Sequence, residues 1–405
     1  MKPVIETEIL YGAQNYSPLP VVLTKGEGVY VWDDAGNRYI DMMSAYSAVS
    51  HGHCHPKLVQ ALMEQAKTLA IVSRAFYTDK LAAFLKRICE LTGYEKALPM
   101  NTGAEAVETA IKAARKWAYT VKGVQPDKAE IIACRGNFHG RTTTIVGFST
   151  EPQYREGFGP FTPGFKIIPY GDAKALETAI TPDTAAFLVE PIQGENGIMV
   201  PPANYLRDCA AVCKKHNVLL ICDEIQTGLG RTGKLLAADH DNIKPDAVVL
   251  GKALGGGLLP VSLFLSSKEV MDVFTPGDHG STFGGNPLAA SVALAAVNVL
   301  IEDNLIARAA ELGDYLLQRM KALKSPLIKE VRGKGLLVGI EINAPYSARE
   351  LCLKLLKQGV LSKDTHGTVI RLAPPLVITK EQLDQVIDAM TQVLSEAEQK
   401  AVNQA

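Results

Sequence analysis

The chain of 405 residues predicts an α/β fold: a large domain with a mostly parallel central sheet covered by helices, plus a smaller α+β domain. Three observations predict it. Between about residue 100 and about residue 290, short apolar runs alternate with helical patterns, the order that builds a parallel sheet through helical crossovers. The runs are apolar throughout rather than alternating, as in strands covered on both faces. Near the C-terminus the pattern changes to a strand followed by a long amphipathic helix. The length suits two unequal domains. The expected division is an N-terminal segment 1–50 whose hairpin packs on the small domain, a large domain 51–295, and a small domain 296–405.

In chain order, residues 28–42 read as a hairpin, with β-rich runs from Gly28 and from Arg38 around Asp34-Ala-Gly-Asn37. A helix starts at Pro56, since proline suits a first helical turn. The apolar runs are Glu130–Cys134, Ala186–Glu190, Val218–Asp223, Ala247–Leu250 and Ser262–Leu265. Leu336–Glu341 reads as a strand. Thr379 and Gln382 form a capping-box signature for a last helix carrying Leu383, Val386, Ile387, Met390, Val393 and Leu394 on one face.

Composition narrows the function classes. Hydrophobic residues make up 47% and charged residues 21%, so the chain can bury a core. The 42 basic and 43 acidic residues leave a net charge of −1. No basic run stands out, which argues against nucleic acid or an anionic membrane as partner. Met1-Lys2-Pro3-Val4-Ile5-Glu6 has no long apolar stretch after its positive charge, so no secretory signal is expected. The most apolar segment, Pro287 to Ile301, is interrupted by Ser291 and Asn298 and is too short to span a bilayer. Seven cysteines without a C-x-x-C pair predict a reduced, cytoplasmic chain without disulfides. Cys209 and Cys213, with Leu206 and Ala210, form the stripe of a buried helix face. His51, His53 and His55 alternate, but no cysteine or carboxylate cluster completes a site, so no metal is expected.

Chemistry concentrates at the strand ends, where open α/β sheets bind their ligands. Glu190, Asp223 and Lys252 all lie at or just past such ends. A carboxylate ending an apolar strand is costly without a positive partner. Lys252 sits in Gly251-Lys-Ala-Leu-Gly-Gly-Gly257, where glycines let the backbone approach a bulky ligand. A lysine with a lowered pKa forms a Schiff base with an aldehyde. Pyridoxal 5′-phosphate (PLP) needs this pair, a lysine for its aldehyde and a carboxylate for its pyridinium nitrogen. Thr102, Gly103 and Ala104 open a strong helix pattern from Ala106 to Tyr119 and offer an anion site suited to a phosphate. They fit a plain helix cap equally well. Gly228-Leu-Gly-Arg-Thr-Gly233 matches a dinucleotide fingerprint, but Asp239, Asp241 and Asp246 come too early to supply its acidic residue.

Two segments, Leu220-Ile-Cys-Asp-Glu-Ile-Gln-Thr-Gly-Leu-Gly-Arg-Thr-Gly233 and Asp246-Ala-Val-Val-Leu-Gly-Lys-Ala-Leu-Gly-Gly256, resemble the signature of the class III (ω-)aminotransferases. The resemblance runs from Asn15 to the final helix. It implies the fold type I of PLP-dependent aminotransferases, PLP held by residues 51–295, and a homodimer with shared active sites. It implies that Lys252 binds the cofactor and transfers the proton, and that Asp223 pairs with the pyridinium nitrogen. Gln226 would lie near the phenolic oxygen and Phe138 on the ring face. Gly103 and Ala104, with Ser281 and Thr282 of the partner subunit, would hold the phosphate.

Within the family, Gly12-Ala-Gln-Asn-Tyr-Ser-Pro-Leu-Pro20, Ser44-Ala-Tyr-Ser-Ala-Val49, Phe138-His-Gly-Arg-Thr142 and Arg371-Leu-Ala-Pro-Pro375 resemble a subgroup that takes L-ornithine as donor and 2-oxoglutarate as acceptor. Arg141 then binds the ornithine carboxylate, as guanidinium suits, with Tyr16 and Tyr46 at the α-amino end. Arg371 binds the α-carboxylate of the oxo acid and pairs with Glu195 while ornithine is bound. N-acetylornithine, 4-aminobutyrate or a diamine as donor, and an aminomutase or racemase reaction, remain the alternatives on the same fold.

Overall fold

The structure, a computed structural model, describes residues 2–402. Its centre is a seven-stranded sheet. In spatial order the strands are Lys96–Met100, Ser262–Ser266, Ala247–Leu250, Leu219–Asp223, Thr184–Val189, Glu130–Cys134 and Phe165–Ile168. Ser262–Ser266 is antiparallel to both its neighbours, and the other pairings are parallel. The mostly parallel sheet is therefore present, with one reversed strand. The three central parallel strands are buried along their whole length, which is why their sequences are apolar without alternation.

Helices cover both faces. Gly103–Trp117 turns Ala106, Val107, Ala110, Ile111, Ala113 and Ala114 onto the sheet. Tyr205–Lys215 buries Leu206, Cys209 and Cys213, the stripe expected there. Pro287–Glu302, the most apolar helix, is a core helix that crosses the expected 295/296 boundary. Among the described residues no single helix is long and apolar enough to cross a membrane.

Two smaller sheets sit beside the large one. Ile328–Lys334, Leu337–Ile342, Val369–Leu372 and Lys363–Thr365 form one, contacted by the helices Leu305–Lys321 and Ala348–Lys357, on which the helix Lys380–Val402 packs. That helix starts at the predicted box: the Gln382 N–H donates to Thr379 Oγ1 at 3.3 Å, and the Thr379 N–H donates to Gln382 Oε1 at 2.8 Å. All six residues expected on its inner face are buried. The other sheet contains the predicted hairpin, Tyr30–Asp33 with Arg38–Asp41. Its outer strands are Leu23–Glu27 and Val360–Leu361, so the N-terminal segment is hydrogen-bonded to the C-terminal part. The helix Pro3–Tyr11 was not expected, and none of its residues is buried.

The alternating histidines point apart. His51 Nε2 lies 2.9 Å from the Ala296 carbonyl, His53 Nε2 2.8 Å from Asp41 Oδ2, and His55 3.5 Å from Asp303. After the dinucleotide-like run no α-helix begins; a short 3-10 turn, Ala237–Asp241, follows instead, so no helix N-terminus faces a pyrophosphate.

Candidate active site

The adjacent strands Thr184–Val189, Leu219–Asp223 and Ala247–Leu250 bring their carboxyl ends together. Glu190, Asp223 and Lys252 thereby border one cavity of about 200 Å³. Asp223 is only 4% exposed. Its Oδ1 accepts the Ile225 N–H at 3.1 Å, and its Oδ2 lies 2.7 Å from His139 Nδ1. Burial works against a charged His139, but the hydrogen bond and charge of Asp223 outweigh it, and the imidazole pKa is raised. Asp223 is thus a buried carboxylate fixed from behind. Burial pushes the Glu190 carboxyl up to about 8, and its Oε2 accepts the Phe138 N–H at 3.0 Å. Glu190 therefore anchors the aromatic residue on the cavity wall.

Lys252 follows its strand in the left-handed region, with φ 45°, a conformation disfavoured for a side-chain-bearing residue and typical of functional sites. Burial lowers the pKa of its amine; Glu195 opposes this and Arg371 adds to it. Burial and Arg371 both shift the amine toward its neutral, nucleophilic form. Two glycines allow the crowding around it. A Cβ on Gly103 would meet Ile225 Cδ1 at 2.9 Å, and one on Gly194 would overlap Gln226 Oε1 at 1.6 Å.

At another side of the cavity are Gly103 and Ala104, which begin the helix Gly103–Trp117 and direct free N–H groups and a positive helix end into it. Thr102 caps that helix with extended backbone, and its hydroxyl is taken by a capping box with Glu105. It borders a neighbouring cavity of about 440 Å³. Sequence reasoning offered its hydroxyl to a phosphate; the box instead commits it to the helix.

These residues fit PLP. A buried carboxylate meets a pyridinium, helix N–H groups meet a phosphate, an aromatic wall meets a ring, and a lysine of lowered pKa meets an aldehyde. Gln226 Oε1 and His139 Nε2 are buried without a hydrogen-bond partner among the described residues, and both residues line the cavity.

The substrate side is assembled from distant segments. Arg371, 1% exposed, donates from Nη1 to Glu195 Oε1 at 2.8 Å, and from Nη2 to the Gly194 carbonyl at 3.2 Å and Thr365 Oγ1 at 2.9 Å. Burial alone would raise the Glu195 carboxyl; the charge and hydrogen bond of Arg371 override it and hold it at about 2. The Arg371 guanidinium carbon lies 5.1 Å from the Tyr46 ring centroid. Arg141 is exposed, its guanidinium 3.6 Å from the centroid of Tyr154 and 5.5 Å from that of Phe138. Tyr154 lines an adjoining cavity of about 280 Å³ that shares Phe138 and Glu195 with the first.

Three expected residues are not brought in by this one chain. Tyr16 is 74% exposed on a segment without regular structure. Ser281 Oγ accepts from Asn101 Nδ2 at 2.9 Å, and Thr282 is exposed beside it. Sequence reasoning missed His139, Tyr154 and the role of Glu190. His139 and Glu190 lay inside quoted segments, but only the fold shows what they touch.

Residues 11–394 match the family described as Aminotransferase class-III. The chain is 58% identical over 385 residues to an ornithine aminotransferase of Geobacillus sp. (strain WCH70), covering 95% of this chain and 96% of the relative. It is 56% identical to the ornithine aminotransferase of Brevibacillus brevis, covering 96% and 98% of the two chains. Among solved structures, the ornithine aminotransferase of Toxoplasma gondii superposes with a TM-score of 0.97 at 46% identity over 98% of this chain and 95% of that one. An acetylornithine aminotransferase of Elizabethkingia anophelis superposes with a TM-score of 0.89 at 50% identity, covering 97% and 98%.

Proposed function

Since the chain belongs to the class-III aminotransferases, we infer that it uses PLP to transfer the δ-amino group of L-ornithine to 2-oxoglutarate, giving L-glutamate 5-semialdehyde and L-glutamate. The observation that carries this reading is the Glu195–Arg371 pair at 2.8 Å beside Tyr46, with Glu195 on the cavity of Lys252 and Asp223. When bound, the cofactor supplies an aldehyde for the amine and a ring that accepts electrons from the substrate carbon.

The chain's own residues do the rest. Asp223 holds a proton on the ring nitrogen, and His139 keeps Asp223 in place. Lys252 Nζ holds the cofactor and moves the proton at the amine-bearing carbon. Phe138 would bound the ring, Gln226 would lie near its oxygen, and Gly103 and Ala104 would hold the phosphate through their N–H groups.

Arg141 binds the ornithine carboxylate, with Tyr16 and Tyr46 around its α-amino end. While Glu195 neutralises Arg371, the pocket favours a donor that presents its terminal amine. Once the pair opens, Arg371 binds the α-carboxylate of 2-oxoglutarate or L-glutamate by a bidentate contact. One pocket thereby serves both half-reactions.

The same reading assigns Ser281 and Thr282 to the phosphate site of a partner subunit in a homodimer. Support comes from the aromatics Phe76, Tyr77 and Phe283, left exposed at 66%, 106% and 56%. The division at residues 50 and 295 and a reducing, cytoplasmic setting, in keeping with seven free cysteines, belong to the same proposal.

The test is the visible absorption of the purified protein. L-ornithine without acceptor should bleach the band of the lysine-bound cofactor, and 2-oxoglutarate should restore it. A band that ignores L-ornithine but responds to N-acetylornithine would transfer the assignment to that donor.

A further inference from the structure

Four consecutive residues, Ser44, Ala45, Tyr46 and Ser47, have φ of 42°, 46°, 59° and 78°. None is glycine, so each adopts the left-handed backbone at a cost. Such a turn persists only where its surroundings over-determine it. Asp41 Oδ1 accepts the N–H groups of Met43 and Ser44 at 2.8 and 2.9 Å. Ser44 Oγ donates to the Ala373 carbonyl at 2.6 Å, and Ser50 Oγ donates to the Ser47 carbonyl at 2.8 Å.

Arg231 joins these contacts. It is 0% exposed. Its Nη2 donates to Ser44 Oγ at 3.2 Å and to Ser50 Oγ at 3.0 Å; its Nη1 donates to the carbonyls of Leu336 at 2.9 Å and Pro374 at 2.5 Å. All four acceptors are neutral. Burying a guanidinium whose bonded acceptors are all neutral is expensive; burial pushes its pKa down to about 9, with the nearby charge of Asp41 opposing the shift. The arginine comes from the glycine-rich run 228–233, just after Gln226. It bonds the turn that carries Tyr46 and the segment just past Arg371, the two partners of the 5.1 Å cation–ring contact.

We propose that Arg231 is a positioning residue that pins the left-handed turn against the Arg371–Pro374 segment, so that Tyr46 stands beside Arg371 and the site selects donors bearing an α-amino group. This rests on the reading of Tyr46 as the residue that meets the ornithine α-amino end. A released turn lets the ring drift, and small misplacements at a reacting site cost heavily in rate. The donor that exposes the effect is 5-aminopentanoate, which has the chain length, carboxylate and terminal amine of L-ornithine and lacks only the α-amino group.

The experiment compares kcat/KM for L-ornithine and 5-aminopentanoate in the PLP-loaded enzyme and in Arg231→Lys, Ser50→Ala and Tyr46→Phe, with Tm and the visible band recorded for each. Arg231→Lys keeps the charge but not the forked geometry; Ser50→Ala is milder and removes one acceptor. The ornithine preference should fall at least about tenfold in Arg231→Lys and about threefold in Ser50→Ala, chiefly through L-ornithine, with the visible band retained. Adding Ala45→Gly, which eases the left-handed backbone at an exposed position, should recover part of the preference in Ser50→Ala. Equal losses for both donors, or an unchanged preference while Tyr46→Phe lowers it, would overturn the pinning role and leave the reading of Tyr46 intact. An unchanged preference in Tyr46→Phe itself would remove that reading, and the proposal with it.

Discussion

The wall of the cavity that carries Asp223 and Lys252 and the Tyr46–Arg371 cluster that reaches the cavity through Glu195 are built differently. The first hangs from neighbouring strands of one sheet, each buried throughout. Its carboxylate is fixed by the Ile225 N–H and by His139. The second is gathered from residue 46, residue 195 and residue 371, on three separate segments joined by one ion pair and one cation–ring contact. A cofactor that stays bound suits a rigid mount. Two substrates of different shape suit a wall whose charges can exchange partners. The contrast assigns chemistry to the sheet and choice to the assembled wall.

The largest expected effect breaks the sheet side. Lys252→Ala should lower kcat by at least about 10⁴-fold, since it removes both the cofactor's anchor and the group that moves the proton. Steady-state turnover at saturating PLP, with Tm as control, reads it; ordinary turnover would end the assignment of Lys252.

Next comes the assembled wall. Arg371→Lys should raise KM for 2-oxoglutarate by roughly tenfold or more, because a bidentate guanidinium contact becomes a single ammonium contact. The first half-reaction with L-ornithine should change far less. If both half-reactions weaken equally, the two walls are not divided in this way.

The smallest effect concerns stability on the sheet side. Burial raises the Glu190 carboxyl from 4.5 to about 8. The folded chain therefore keeps a proton that the unfolded chain loses. That contribution to stability is complete below the unfolded pKa and disappears as pH rises through the folded one. Urea midpoints should fall between about pH 5 and about pH 8, and Glu190→Gln should flatten the decline. A variant with the same slope as the parent would place the proton elsewhere.

The contrast also explains what was legible in the sequence. Asp223 and Lys252 stand out because each closes an unbroken apolar run, and strand ends are where such sheets bind ligands. The turn at 44–47 does not, because Ser-Ala-Tyr-Ser lacks the glycine or asparagine that marks positive φ; besides Asp41 and Ser50 nearby, its contacts are with Arg231 and Ala373, far along the chain. The strand Lys96–Met100 is hidden by Pro99, which the edge of a sheet tolerates. The helix Pro3–Tyr11 buries no residue, so it carries no apolar stripe to read. His139 is a lone histidine in sequence and becomes the support of Asp223 only once the strands Glu130–Cys134 and Leu219–Asp223 join one sheet, on either side of Thr184–Val189.

On the proposed function, opening and closing of the Glu195–Arg371 pair lets one pocket serve two substrates. Single-turnover absorption of the Glu195→Gln enzyme, measured once with L-ornithine and once with L-glutamate, tests it most directly. With Arg371 no longer neutralised, the L-ornithine half-reaction should slow by about tenfold or more while the L-glutamate half-reaction speeds up or saturates at lower concentration. Equal slowing with both amino acids, or no change with either, would mean that the Glu195–Arg371 pair does not switch the pocket between substrates.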